Sequence, residues 1–93
     1  MKVRYTPRAI ADLDSVFLYI DQRSPAGAIQ VKNRIQQLIG GLTEFPLAGR
    51  ETGFRNMRVL IAGRFPYLIF YRVVGDEVHV VHIRHAARKP WSG

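Results

Sequence analysis

Residues 66–85 constrain this chain most. Pro66-Tyr67-Leu68-Ile69-Phe70-Tyr71-Arg72-Val73 and Val78-His79-Val80-Val81-His82-Ile83-Arg84-His85 are both dense in β-branched and aromatic residues, with Gly75-Asp76 between them. That pattern predicts a β-hairpin. Arg55–Ile61 predicts another strand, and Ala62-Gly63-Arg64-Phe65-Pro66 the turn that follows it. Three strands joined by tight turns form an antiparallel meander. Leu47–Phe54, with Pro46 before it and Gly49 and Gly53 inside it, is expected to be a loop.

Upstream, the period changes from two to about 3.6. After a short alternating strand, Val3-Arg4-Tyr5, Thr6-Pro7 supplies a cap and a first helical residue with no N–H to lose. Ile10, Leu13, Phe17 and Ile20 form the expected apolar stripe of this helix, and Asp12 and Asp14 suit its early turns. Ser24-Pro25 repeats the start signal. The second helix is expected to run to about Leu42, with Ala28, Val31, Ile35, Leu38 and Leu42 inward and Leu18, Tyr19, Ile29 and Ile39 beside the main stripes. A connection of a few residues makes the pair an antiparallel hairpin. The expected fold is α+β, a two-layer β-α-α-β-β-β domain with the helical hairpin packed on a small antiparallel sheet. Residues 1–93 form one domain.

The sheet faces are not simple. Tyr67, Ile69, Tyr71 and Val73 share one face of their strand, and Leu68, Phe70 and Arg72 share the other. In the next strand Val78 and Val80 point one way, and Val81 and Ile83 the other. A β-bulge near Val80-Val81 reconciles the phases, and so does a central strand covered on both faces. Two helices cover only one face, so a partner chain is a candidate cover for the other.

Charge narrows the function. Lys and Arg number 14 against 7 acidic residues, a formal +7, mostly Arg and mostly in residues 47–93. A solvated surface accounts for this in the bland case. The sharper reading is a footprint for an acidic protein or a nucleic acid. There is no Cys, which rules out disulfides and Cys-based zinc sites and fits a reducing cytoplasm. No apolar run nears the roughly 20 residues that cross a bilayer, and the N-terminus has no apolar core of a signal peptide. His79, His82 and His85 sit on a strand, where residues 79 and 85 are about 20 Å apart; neither a metal nor a cofactor is expected. On an unbroken strand His82 faces away from the other two.

Tyr5-Thr6-Pro7-Arg8-Ala9, Asp12-Leu13, Tyr19-Ile20, Phe45-Pro46-x-x-Gly49-Arg50, Tyr67-x-Ile69-x-Tyr71-Arg72-Val73 and His85-x-x-Arg88 resemble, in this order and spacing, the ParE/RelE superfamily of bacterial type II toxins, most closely the ParE, plasmid-stabilisation branch. The resemblance implies a cytoplasmic toxin, a cognate ParD-like antitoxin with an acidic C-terminal segment, and a hetero-oligomeric toxin–antitoxin complex away from any membrane. ParE-type members act on DNA gyrase. RelE-type members cut messenger RNA in the ribosome.

Leu68 separates the branches. RelE-like nucleases commonly carry an Arg there, and a leucine cannot stabilise phosphorane charge. No catalytic residue is therefore expected. The rival ribosome-dependent endonuclease would use Glu51 as base, His85 as acid and Arg88 as cation. A third reading, a non-toxic basic nucleic-acid-binding module, requires steep salt dependence on DNA alone. Candidate contacts with antitoxin or target are Arg55, Arg58, Arg72, Arg84, His85, Arg88, Lys89, Trp91 and Tyr19. Arg55 and Arg58 are expected on opposite faces of one strand. Arg72 and Arg84 are expected near each other across the hairpin, paired with Asp76, Glu77 or Glu51 or left as a socket for carboxylates. Tyr67, Tyr71 and Phe70 are read as core in preference to a stacking platform for bases.

Overall fold

The computed structural model describes residues 1–87. Strand β1 (Lys2–Tyr5) leads into helix α1 (Pro7–Asp21) and helix α2 (Pro25–Gly40), which tightens into a 3₁₀ turn at Gly41–Thr43. Strands β2 (Arg50–Glu51), β3 (Arg58–Ile61), β4 (Tyr67–Val74) and β5 (Glu77–His85) follow. Among the described residues the sheet order is β1-β5-β4-β3-β2. The meander β3-β4-β5 is antiparallel as expected, whereas β1 lies parallel to β5 on its outer side.

Both helices start as their sequence signals dictate. Thr6 Oγ1 accepts from the Ala9 amide at 3.2 Å and Ser24 Oγ from the Gly27 amide at 3.1 Å, each with Pro next in the chain. The Thr6 hydroxyl also donates to the Val80 carbonyl at 2.9 Å, so one side chain caps α1 and ties it to β5.

Two boundaries and two stripes differ from expectation. Leu47–Phe54 contains the two-residue strand β2, paired with β3 through Arg50–Val59 and Glu51–Arg58. Strand β3 begins at Arg58, because Arg55 and Asn56 take positive φ angles of 49° and 57° and form the preceding turn. Side chains on such residues are costly, which removes Arg55 from any strand face. The stripe of α1 is Ala9, Leu13 and Val16, with Phe17 and Ile20 half-buried and Ile10 half in water at 51% exposure. In α2, Ile39 is buried at 1% while Leu38 is only half-buried. Asp12 and Asp14 lie beyond the first turn of α1, which holds no acidic residue.

The bulge is present. Phe70 pairs with His82 and Tyr71 with Val80, leaving Val81 as the extra residue. After it, Ile83 rejoins the face of Val78 and Val80. Tyr67, Ile69, Val80 and Ile83 then meet Leu13, Val16, Val31, Ile35 and Ile39 of the helices in one core. Leu42, Tyr71 and Val78 close the other end.

Candidate functional site

The sheet turns one face to the helices and the other away from them. Strand register assigns Val59, Ile61, Leu68, Phe70, Arg72 and Arg84 to the helix-free face, together with His79 and His82. The bulge corrects the histidine geometry: His79 and His82 share a face, and His85 lies opposite, paired with Tyr67. Each ring has a partner. His79 Nε2 is 3.0 Å from Glu77, His82 Nδ1 is 2.6 Å from Asp12, and His85 meets the Tyr67 ring edge-on at 5.3 Å.

Two separate groups hold the residues singled out from sequence. The first surrounds the β2–β3 turn, where Glu51, Arg55 and Arg58 line an open cleft of about 420 Å³ with Gly53, Asn56, Met57 and Val73. Arg58 is a bracket here. It donates to the Gly49 carbonyl at 2.8 Å, to the Leu47 carbonyl at 3.4 Å and to Glu51 at 3.1 Å. Arg72 Nε donates to the Arg55 carbonyl at 3.0 Å, holding the turn to β4. Beneath it, Tyr71 is fully buried, with its hydroxyl bonded to Gly49 and Pro46. Burial pushes the Tyr71 phenol above its ordinary value, opposed by the Gly49 hydrogen bond and the Arg58 charge.

The second group lies at the far end of the hairpin. Arg84 lies over the Phe70 ring at 5.5 Å, and Phe70 is stacked on His82 at 5.9 Å. Arg84 Nη1 donates to the His85 carbonyl at 3.2 Å, while Nε is buried without an acceptor among the described residues. Arg72 and Arg84 share a face but are not neighbours: Arg72 pairs with His79 and Arg84 with Leu68, leaving Phe70–His82 between them. Neither pairs with Asp76, Glu77 or Glu51; Glu77 is engaged by His79 and by Arg4 at 2.8 Å. The His79 hydrogen bond, then the Arg4 one, hold the Glu77 carboxyl below its usual range.

Tyr19 is 45% exposed on α1, with the Arg23 guanidinium 3.9 Å from its ring centre. Tyr67, Tyr71 and Phe70 are all buried, as expected, the tyrosines towards the helices and Phe70 on the opposite face. Arg88, Lys89 and Trp91 lie outside the described residues. No helix among the described residues is long and apolar enough to cross a membrane.

Sequence reading missed one arrangement. Strand β1 leaves β5 after Tyr5, and α1 takes over that edge. Asp12 Oδ2 accepts the Ile83 amide at 3.0 Å while holding His82, itself 5% exposed. A carboxylate there replaces the missing strand partner of Ile83, since a buried N–H left alone is costly. The available signal was an Asp outside the first helical turn combined with a His on a strand that the bulge brings within reach.

The fold is a helical hairpin seated on one face of a five-stranded sheet. It matches the solved structure of the chromosomal ParDE TA system from P. aeruginosa with a TM-score of 0.82 at 26% identity, covering 91% of this chain and 95% of that one. Residues 3–90 match the family described as the ParE toxin of type II toxin-antitoxin system, parDE, and the chain belongs to that family. It is 40% identical to toxin RelE2 of Caulobacter vibrioides over 87 residues, 94% of this chain and 97% of the relative. It is 34% identical to the Sinorhizobium fredii protein Y4kP over 85 residues, 91% of this chain and 88% of the relative. The chain is the toxin component of a type II toxin–antitoxin system.

Proposed function

We propose that this toxin acts by docking onto DNA gyrase, without bond-making chemistry of its own, and that a ParD-like antitoxin neutralises it in a hetero-oligomeric complex in the bacterial cytoplasm. One relationship carries the non-catalytic part. Glu51 lies on β2 and His85 at the end of β5, with β3 and β4 between them. Strand spacing and the register offset from Tyr71 to Tyr67 put them about 20 Å apart. An acid and a base acting on one phosphodiester must both reach it within hydrogen-bond distance. Glu51 is moreover held by Arg58, and His85 Nδ1 accepts from the Ala87 amide at 3.0 Å. Gyrase as target follows the ParE-branch resemblance, and Leu68 in place of a phosphate-binding arginine agrees with it.

The test is induced expression in a bacterial host, with DNA replication and translation followed separately. Replication is expected to stop first, with DNA–gyrase complexes accumulating, and purified toxin should inhibit supercoiling. Rapid ribosome-dependent message cleavage with replication intact would overturn the reading in favour of the RelE-type activity.

A further inference from the structure

We propose that the turn between β2 and β3, residues 54–57, is a DNA-contacting tip, and that the Arg55 guanidinium takes a backbone phosphate of the DNA held by the toxin's target. This rests on the gyrase reading and adds to it a direct contact with the DNA.

The conformation of the turn is the first observation. The Met57 amide donates to the Phe54 carbonyl at 2.9 Å, and both central residues, Arg55 and Asn56, have positive φ. That is the pattern of a type I′ turn, whose central positions favour Asn and Gly. Asn56 suits it. Arg55 does not, because in the left-handed region its Cβ crowds the following carbonyl oxygen and no short polar side chain compensates.

Strain of this kind persists only where the surroundings hold it. Here Arg72 Nε donates to the Arg55 carbonyl at 3.0 Å. The Thr52 hydroxyl accepts from the Phe54 amide at 3.1 Å and donates to the Met57 carbonyl at 2.9 Å. Met57 is buried at 1%. These bonds use the backbone of the turn. None of them uses the Arg55 charge, so the fold itself does not call for an arginine at this place.

The charge is also left unneutralised. Glu51, the acidic residue of the same cleft, pairs with Arg58 instead. The Arg55 guanidinium lies 5.3 Å from the Phe54 ring centre and has no hydrogen bond or ion pair among the described residues. A cation on a braced turn meets an incoming oxyanion with little backbone ordering left to lose.

The surroundings favour a phosphate over a protein carboxylate. The cleft is open, and its apolar members lie low, Met57 buried and Val73 half-buried. Protein hot spots need apolar groups enclosed in desolvated pockets, whereas DNA interfaces are more polar and more cationic. Asn56, next to Arg55, adds a side-chain amide of the kind that donates to phosphate oxygens.

The experiment measures binding of the full-length toxin to purified DNA gyrase, with and without a bound DNA duplex, over a range of salt concentrations. DNA is expected to strengthen binding of the wild-type chain. Arg55→Gln should weaken binding to the gyrase–DNA complex about tenfold and lower its log–log salt slope by about 0.9, the value for one phosphate, with binding to DNA-free gyrase unchanged. Arg55→Lys should restore the slope and part of the affinity. Arg55→Asn relieves the turn, so it should raise the melting temperature while losing the same tenfold in binding, a combination that a merely structural Arg55 does not give. Equal loss in Arg55→Gln with and without DNA would make a protein carboxylate the ligand, and no loss in either case would leave the Arg55 charge idle. Each result overturns the proposal and keeps the gyrase reading. Absence of wild-type binding to gyrase in both forms would overturn both.

Discussion

The Tyr71 hydroxyl accepts a hydrogen bond from the Gly49 amide at 2.7 Å and donates one to the Pro46 carbonyl at 2.8 Å. It thereby ties the loop after α2 to the centre of the sheet. A Cβ at position 49 would fall 2.6 Å from both Cε1 and Oη of Tyr71, closer than real contacts allow. Gly49→Ala is expected to destabilise the fold by roughly 1–3 kcal/mol through overpacking. Tyr71→Phe should cost about 1–3 kcal/mol, because it removes the partner of two polar backbone groups in the loop. Urea denaturation of the two variants checks both values.

Alkaline stability follows from the same phenol. Burial raises the Tyr71 pKa, so the folded state holds that proton more tightly than the unfolded chain. Its contribution is complete below the ordinary tyrosine value of about 10 and is lost as pH rises through the higher folded value. Tyr5 is raised by burial in the same direction. Denaturation measured against pH should show stability falling above about pH 10, with a shallower fall in Tyr71→Phe. An unchanged slope in that variant would refute the assignment.

At the acid end the group to watch is Glu77. Its pKa is lowered by His79 and then by Arg4, so its contribution is present above the ordinary carboxylate range and disappears as pH falls through the lower folded value. Glu77→Gln should flatten the acid limb of the stability profile without altering the alkaline one. A two-limb pH titration of melting temperature separates these effects.

Asp12 seals the edge of β5 where β1 ends. Asp12→Ala deprives the Ile83 amide of its acceptor and breaks the 2.6 Å contact with His82. The expected cost is about 2–4 kcal/mol, larger than for an exposed helical Asp because both partners are buried. Native-state hydrogen exchange gives a local readout: the Ile83 amide should lose protection more than the Val80 amide. A double-mutant cycle of Asp12→Ala with His82→Ala should give a coupling of about 0.5–3 kcal/mol.

Local chemistry was legible in the sequence where one signal acted alone. Thr6-Pro7, Ser24-Pro25 and the Gly75-Asp76 turn each specify a structure without help from distant residues, and each formed where expected. Phase reading also located the bulge. Helix rotation was harder to read. Ile10 and Ala9 both suit an apolar stripe by period, and hydrophobicity favours Ile10, but the close approach of α1 to β5 admits the small side chain and turns the large one outward. Arg55 reads as strand because nothing in an arginine announces a positive φ, whereas Asn56 is of a type that tolerates one and is a turn signal that the flanking strand pattern outweighs. The Asp12–His82 contact spans 70 positions in the chain and depends on the bulge, so no local window contains it. Of the arginines singled out, Arg58 proved to bind backbone carbonyls, a role that periodicity cannot show.

The rotated stripes can be tested directly. Ile10→Ala should change stability by no more than about 0.5 kcal/mol, as for other surface substitutions. Ile39→Ala, at a buried position beside the main stripe expected from sequence, should cost about 2–5 kcal/mol. Equal effects at the two positions, measured by chemical denaturation, would contradict the observed rotation of the helices.

The non-catalytic reading makes the sharpest demand on Glu51 and His85. The Glu51 side chain is 78% exposed and pairs with Arg58; losing an exposed pair costs about 1 kcal/mol or less. His85→Ala removes an edge-on ring contact with Tyr67, worth about 0.5–1.5 kcal/mol. Both variants should fold, and growth arrest on induction should persist in each and in the double variant, because neither side chain takes part in a chemical step. A ribonuclease that used them as base and acid would lose about a hundredfold or more in rate on removal of either one. Growth curves of induced cells, with message integrity measured in the same cultures, tell the two apart: arrest with intact message in the double variant supports docking, and message cleavage by the wild-type chain that is lost in the double variant refutes it.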